Sequence, residues 1–397
     1  MPLTFTHTGC LHLDDESYST INPSTGVPGA WESHERTLKH AVDEAVHGRH
    51  DLFLISGDLF TSGRPTAEVV LRAADLLRPA LRHMPLAIIG GDHDERDVAR
   101  SQRTALHTLQ RILTAQADHP VHLVTGQPQL VHAGGLQILA LPWPSPQRIL
   151  EARGATDLSP REAAALVSDH IRAQLQGLAE TADPTAPLVA AGHLVLDGAS
   201  RASDTDLSHP FGEPSLPAAA LDDLPISYAA LSHLHTRQRV GRAGHYCGSP
   251  DRFTLADADV PKSVNSVTIG DDNVVLDVLH TPTPARPMVR IDLAAPDARA
   301  LLEDLPDGAI VAIRTRPDDP TLSDQERAAI QAAHATVVNT RVRPSRTRST
   351  TSSVTAAAVP EGGSVEDALR AWHATRQPDG VDLNELQQLA RRIIEGP

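Results

Sequence analysis

Residues Leu52–Phe60 read Leu-Phe-Leu-Ile-Ser-Gly-Asp-Leu-Phe. A short apolar run ending in Gly-Asp is how a buried strand delivers one carboxylate to the edge of a sheet. Gly57 lets the backbone turn there and lets another group come close. Asp58 falls where the strand ends of open α/β sheets carry chemistry. A single Asp in such a place also suits a helix cap or a turn, and it is repetition that favours chemistry. Working outward, an alternating strand over Leu3–Thr8 runs into Cys10 and His12, and a buried strand over Leu86–Ile89 ends in Gly90-Gly91-Asp92-His93-Asp94. Further on, Leu188–Ala191 ends in Gly192-His193, and Tyr228–Leu231 ends in Ser232-His233-Leu234-His235.

The segments between these strands have helical signals. Leu38, Val42, Ala45 and Val46 share one face of a helix over Ala30–His47. Thr66 can cap a helix to about Leu81, another spans Ser101–Leu113, and Ser159-Pro160-Arg161-Glu162 is a capping box that starts a helix to about Glu180. Strands are expected near Val121–Val124, Leu136–Leu141, Gln238–Val240, Ser263–Ile269 and Val274–Leu279. Alternating strands and helices followed by a strand-rich half predict an α/β fold with two sheets flanked by helices. Thr281-Pro282-Thr283-Pro284 reads as a stiff linker, followed by a small α+β unit over Met288–Val338. Arg341–Ala358, rich in Arg, Ser and Thr, reads as a solvated linker, and Leu383, Leu386, Leu389 and Ile393 form a helical apolar stripe near the end. The expected division is 1–280, 285–340, a linker over 341–362 and a C-terminal helical segment over 363–397.

Bulk properties exclude several classes. The chain has 397 residues, 40% hydrophobic and 21% charged, with net charge −15. It is globular in composition, and its acidity argues against a generally basic nucleic-acid coat, though a local Arg patch or a metal pair still holds phosphate. Lys39 and Lys262 are its only lysines, and neither stands in a Gly-Lys-Ser/Thr context, so no P-loop for ATP is present. Aromatic residues are 3%, too few for a base-stacking platform. Cys10 and Cys247 offer no disulfide framework. No apolar run is long enough for a bilayer and Met1–Cys10 lacks signal-peptide features, so the expectation is a cytoplasmic protein without membrane attachment.

His and Asp at five strand ends suit phosphate-ester hydrolysis. Two divalent ions about 3.5–4 Å apart neutralise the phosphate and generate a nucleophile. A carboxylate must bridge them, and Asp58 is the best placed. Imidazole with carboxylate favours manganese, iron or zinc over calcium or magnesium. His233 and His235, two apart on a strand, point the same way.

The order of these motifs resembles the calcineurin-like metallophosphoesterases, whose pattern is Asp-x-His, Gly-Asp, Gly-Asn-His, Gly-His and Gly-His-x-His. Within them it is most similar to the SbcD family, the nuclease partners of SbcC ATPases in DNA double-strand break processing. Phe5-Thr6-His7-Thr8, Gly57-Asp58-Leu59-Phe60, Leu141-Pro142-Trp143, Tyr228-Ala229-Ala230-Leu231, Gly248-Ser249-Pro250 and Lys262-Ser263-Val264 carry the resemblance, which covers residues 1–280 and continues more loosely to the end. It implies a metallophosphoesterase sandwich followed by a capping domain. One metal would take Cys10, His12, Asp58 and His235, and the other Asp58, Asp92, His193 and His233. His93 would act beside the phosphate, oriented by Asp94. The implied ions are two divalent metals, manganese first, with zinc or iron opened by Cys10. The implied partners are duplex DNA ends, an SbcC-like ATPase bound by the C-terminal helices, and a second copy of the chain.

Three positions depart from the pattern: Cys10 for Asp, Asp92 for Asn, and Ser232 for Gly. Cys10 is either a thiolate ligand or a small buried hydrophobe at a strand end. Asp14 or Asp15 is an alternative donor, and a weak first site is another outcome. The leading expectation is an SbcD-like DNA nuclease subunit. The alternatives are a catalytically weakened DNA-binding scaffold and a small-nucleotide phosphodiesterase.

Overall fold

The computed structural model describes residues 2–340, apart from 20, 23, 97–102, 116, 156–157, 201–213 and 317–320, and a few isolated positions beyond (370, 382–384, 387–388). Its first half winds β1 (Leu3–Thr8), α1 (Gly29–His47), β2 (Leu52–Ile55), α2 (Ala67–Leu77), β3 (Leu86–Ile89), the single turn α3 (Asp92–Glu95), α4 (Ala105–Thr114) and β4 (Val121–Val124). A second sheet then begins with β5 (Gln129–Ala133) and β6 (Leu136–Leu141), followed by α5 (Pro146–Ala152), α6 (Pro160–Ala179) and β7 (Leu188–His193). A two-strand ribbon of β8 (Val195–Leu196) and β9 (Ser215–Leu216) and the turn α7 (Ala219–Asp222) lead into β10 (Ala229–Ser232), β11 (Gln238–Val240) and β12 (Gly244–Tyr246). The chain returns to the first sheet with β13 (Ser263–Ile269) and β14 (Val275–Pro282).

Each sheet has six strands, in the orders β14-β13-β1-β2-β3-β4 and β11-β12-β10-β7-β6-β5. Strands β1 to β4 run parallel, as do β6, β7, β10 and β12, and the antiparallel partners lie toward the edges. The parallel ends therefore gather at one rim, where the motifs fall. The strand β2 shows why the layers hold. Leu52 and Leu54 enter the core between the sheets with Phe5, Ile138 and Val189, while Phe53 and Ile55 enter the core under α1, α2 and α4. Successive side chains point to opposite faces, so a strand covered on both sides reads as continuously apolar. Burying each such residue contributes about 1.5–3 kcal/mol. A third core, with Leu139, Leu141 and Leu188, packs α5 and α6 on the second sheet. This is the two-sheet α/β sandwich flanked by helices that the sequence pattern predicts.

Local signals also hold. The Thr66 and Ser159 hydroxyls accept from Val69 N–H and Glu162 N–H as N-caps, and the Glu162 carboxylate returns to Ser159 N–H at 2.9 Å. The helix after Thr66 stops at Leu77, short of Leu81, because Pro79 follows. The linker expected at 281–284 is half strand: Pro282 closes β14 opposite Ser263, on an edge where its missing N–H costs no ladder bond.

Beyond it, β15 (Met288–Asp292), α8 (Ala298–Glu303), β16 (Ile310–Arg314), α9 (Asp324–Ala332) and β17 (Thr336–Thr340) form a small unit with its own core around Ile291, Leu302, Val311 and Ile313. Its strands are all parallel, so it is an α/β wind where an α+β unit is expected. Met288 and Ile310 pack it against Ala258 of the sandwich. Met1–Val342 is one compact unit and Arg343–Pro397 another. The linker 341–362 and the segment 363–397 lie outside the described residues apart from the isolated positions named above. Among the described residues, no helix is long and apolar enough to cross a membrane.

Candidate metal centre

Every sequence-predicted site residue except Asp94 meets at the shared rim. Cys10 and His12 follow β1, Asp58 follows β2, Asp92 and His93 follow β3, His193 ends β7, and His233 and His235 follow β10. Cys10, His12, Asp58 and His233 all have positive φ (48°, 42°, 53° and 91°). Non-glycine residues there cost on the order of 1–3 kcal/mol each and persist where surroundings over-determine them. Here the loops after β1 and β2 are stapled together: Cys10 N–H donates to Gly57 O (2.9 Å), Leu11 and His12 N–H to Asp58 O (2.7 and 3.1 Å), and Leu13 N–H to Leu59 O (3.0 Å). Gly57 has φ 130°, and a Cβ on it would lie 2.2 Å from His193 Nδ1. A Cβ on Gly91 would lie 2.1 Å from Asp58 Oδ1. Those two glycines are what let the ligand groups close up.

The donor atoms form overlapping clusters. Cys10, His12 and His235 make one, and the buried Asp58, Asp92, His193 and His233 another, with the donor atoms of each group within 4.8 Å of one another. His12, Asp58 and His93 make a third at the mouth. His193 Nε2 stands 3.0 Å from Asp92 Oδ1, 3.2 Å from Asp58 Oδ2 and 3.2 Å from His233 Nδ1. The same Asp58 oxygen is 3.7 Å from His12 Nε2, so one carboxylate faces both groups.

The imidazoles are oriented from behind. Ser232 Oγ donates to Ser56 O at 2.6 Å, so at 2.8 Å from His193 Nδ1 it accepts that N–H and leaves Nε2 toward the carboxylates. His235 Nδ1 faces Asp257 Oδ2 at 3.7 Å, and Asp257 is held by Lys262 Nζ at 2.5 Å. The Lys262 ammonium also donates to Ser249 Oγ and His235 O, which explains why residues 248–250 and 262 accompany the His pair. His93 Nδ1 donates to Thr61 O at 3.0 Å, leaving Nε2 for the cavity. Outer partners of this kind set ligand tautomer and direction.

Asp94 is a correction. It does not orient His93, a place taken by the Thr61 carbonyl. Its fully buried carboxylate accepts from Gly91, Leu59 and Phe60 N–H and ties the β2 and β3 loops together. Neither Asp14 nor Asp15 joins a ligand cluster: Asp14 accepts from Thr61 N–H at 2.5 Å, and Asp15 lines the mouth while bonding Ser17. Reading the sequence missed Asp257, in a single capped turn over Leu255–Asp257, Thr61, in the loop after β2, and the role of Ser232. Cys247 is buried. His7 bridges the sheets, with Nδ1 2.9 Å from Tyr228 Oη and Nε2 3.1 Å from Ser56 Oγ.

Electrostatics tests whether cations fit. Burial lowers histidine pKa values, yet the Asp58 and Asp92 carboxylates push His193 up to about 10. Burial alone would raise Asp58, but His193 and His93 together more than offset it and hold the carboxyl well below its usual range. Burial and then Asp58 raise Asp94 to about 8 and keep the Cys10 thiol protonated. Burial also lowers His12. Without a cation the cluster draws a proton onto His193 to offset its carboxylates. A donor set of two carboxylates and several imidazoles that demands positive charge fits divalent metal ions. The cavity in front of it is about 150 Å³, with Asp58, His93, His233 and Phe253 on its walls. Trp143 covers the other side, its ring 5.3 Å from that of His233.

Among solved structures, a phosphopantetheinyl hydrolase from Mycobacterium tuberculosis is 12% identical with TM-score 0.34, over 62% of this chain and 90% of that one. A 5'-nucleotidase precursor from Thermus thermophilus is 14% identical with TM-score 0.32, over 71% of this chain and 54% of that one. Neither likeness is strong enough to carry a substrate. The sequence model of the calcineurin-like phosphoesterases is a firmer match, over residues 3–237. Running from β1 through the His233–His235 pair, over more than half of the chain, that match makes this protein a member of the calcineurin-like phosphoesterase family.

Proposed function

We propose that this metallophosphoesterase is a DNA nuclease subunit of SbcD type, hydrolysing phosphodiester bonds at duplex ends. The observation that carries the catalytic part is Asp58, one carboxylate oxygen of which faces His193 at 3.2 Å on one side and His12 at 3.7 Å on the other. In this reading Cys10, His12, Asp58 and His235 hold one divalent ion, and Asp58, Asp92, His193 and His233 the second. When bound, the pair neutralises the phosphate and activates water at neutral pH. The protein's own groups do the rest. The Thr61 carbonyl fixes the His93 tautomer, so His93 Nε2 meets the phosphate, where it hydrogen-bonds developing charge or protonates the leaving oxygen. Ser232 and Asp257 keep the ligand nitrogens aimed inward. The buried floor around Asp58 and His193 limits water, which strengthens each of these interactions.

The DNA specificity rests on the motif order and on the apolar stripe of the C-terminal segment. That segment would dock on an SbcC-like ATPase, with the protein acting as a dimer. The test is cleavage of linear duplex DNA with manganese and then zinc, partner and ATP present, in wild type and Asp58→Ala. Cleavage in wild type that Asp58→Ala loses is expected; equal residual cleavage in both sinks the reading. A strong preference for bis-p-nitrophenyl phosphate or cyclic nucleotides over DNA would instead favour a small-nucleotide phosphodiesterase. Deleting residues 361–397 should abolish co-purification with the ATPase while metal binding survives.

The second reading, a weakened scaffold that binds DNA ends, draws on Cys10 and Asp92 standing where the family pattern has Asp and Asn. Robust wild-type turnover abolished by His93→Ala would rule it out.

A further inference from the structure

The two halves of the centre have different donors. The inner half is all oxygen and nitrogen: Asp58, Asp92, His193 and His233. The outer half has a sulfur, Cys10 Sγ, with the nitrogens of His12 and His235. Three features set Cys10 apart from a packing residue. Its φ of 48° puts a side chain with Cβ where glycine or asparagine is easier. Its sulfur accepts the backbone N–H of His233 at 3.1 Å, a donor aimed at Sγ from inside the site. Its neighbours are ligand-type nitrogens: His12, 5% exposed, faces Asp58 Oδ2 at 3.7 Å, and His235 is turned inward by Asp257.

Sulfur and imidazole with one carboxylate is a soft, four-donor set that suits zinc, whereas carboxylate-rich nitrogen–oxygen sets accept manganese or iron. We infer that the centre is chemically asymmetric: Cys10, His12 and His235, sharing Asp58, form a thiophilic site for a zinc-class ion, beside a harder site at Asp58, Asp92, His193 and His233. This rests on the two-ion reading above and deepens it. As the sulfur–metal bond forms, the Cys10 thiol gives its proton to solvent. Cys247 is no rival donor, since its thiol donates to Gly248 O at 3.1 Å and lies outside both clusters.

The test is a titration of metal-free full-length protein with Co²⁺, followed by near-ultraviolet absorbance. Two bound equivalents are expected, one of them bringing a thiolate-to-cobalt charge-transfer band that Zn²⁺ erases in preference to Mn²⁺. Cys10→Ser should lose the band and keep the other equivalent. Cys10→Asp should bind two equivalents without the band and shift preference from zinc toward manganese. Two equivalents in wild type with no sulfur band overturn the thiophilic half while leaving the two-ion phosphoesterase standing. No cobalt bound at all overturns both.

Discussion

The two sheets bring different things to the same rim. The first sheet, through the turns after β1, β2 and β3, supplies both carboxylates, Asp58 and Asp92, together with Cys10 and one imidazole, His12. The second supplies directed nitrogens: His193, His233 and His235. Their supports differ to match. Cys10, His12 and Asp58 are placed by backbone, on left-handed turns stapled loop to loop. His193 and His235 are aimed by side chains, through Ser232 and through Asp257 with Lys262. A carboxylate offers lone pairs over a wide arc, so fixing its position suffices. An imidazole offers one lone pair, whose direction depends on where the ring's other nitrogen bonds.

Four substitutions probe that division, from the largest effect down. Asp58→Ala removes the carboxylate that faces both clusters, and phosphodiester hydrolysis should fall by more than the ~10–100-fold typical of losing an orienting partner. Steady-state rates on a chromogenic diester check this. Gly57→Ala attacks the backbone staple. At φ 130° and with its new Cβ 2.2 Å from His193 Nδ1, it should strain the turn by on the order of 1–3 kcal/mol and turn His193 aside. A lowered Tm together with loss of ion binding at the inner half is the expected pair of results; an unchanged Tm contradicts the steric argument.

Asp257→Asn attacks the side-chain support of the second sheet. Metal affinity at the outer half should weaken by ~10–100-fold with the inner half unchanged. Equal weakening of both halves, by calorimetric titration, would mean the substitution acts through the fold. The last probe is the seam between the sheets. Burial lowers His7 from 6.5 to about 3, so it is neutral when folded and takes a proton when unfolded. Its contribution is intact above pH 6.5 and is lost as pH falls toward 3, at about 1.4 kcal/mol per pH unit. Urea unfolding between pH 7 and pH 5 should lose stability less steeply in His7→Asn than in wild type.

Much of this was legible in the chain. Buried parallel strands announce themselves as apolar runs, and their ends carried Gly-Asp, Gly-His and His-x-His, so the seven ligand-type residues and the two-sheet class follow from pattern. What escaped depends on three-dimensional return. Asp257 sits in a capped turn between β12 and β13 with no pattern to mark it, yet it reaches back to His235. Asp94 beside His93 invited pairing, but one helical turn sends its carboxylate to three backbone N–H groups instead. Helix α5 has Ser145 and Pro146 to mark its start, but its seven residues carry too little periodicity to be read as a helix from sequence.

The most direct measurement is the metal content per chain of full-length protein loaded with manganese and zinc and then desalted, in wild type and Asp58→Ala. A centre built around one shared carboxylate predicts two ions in wild type and losses from both halves without Asp58. Two ions retained in Asp58→Ala, or none in wild type, would contradict it.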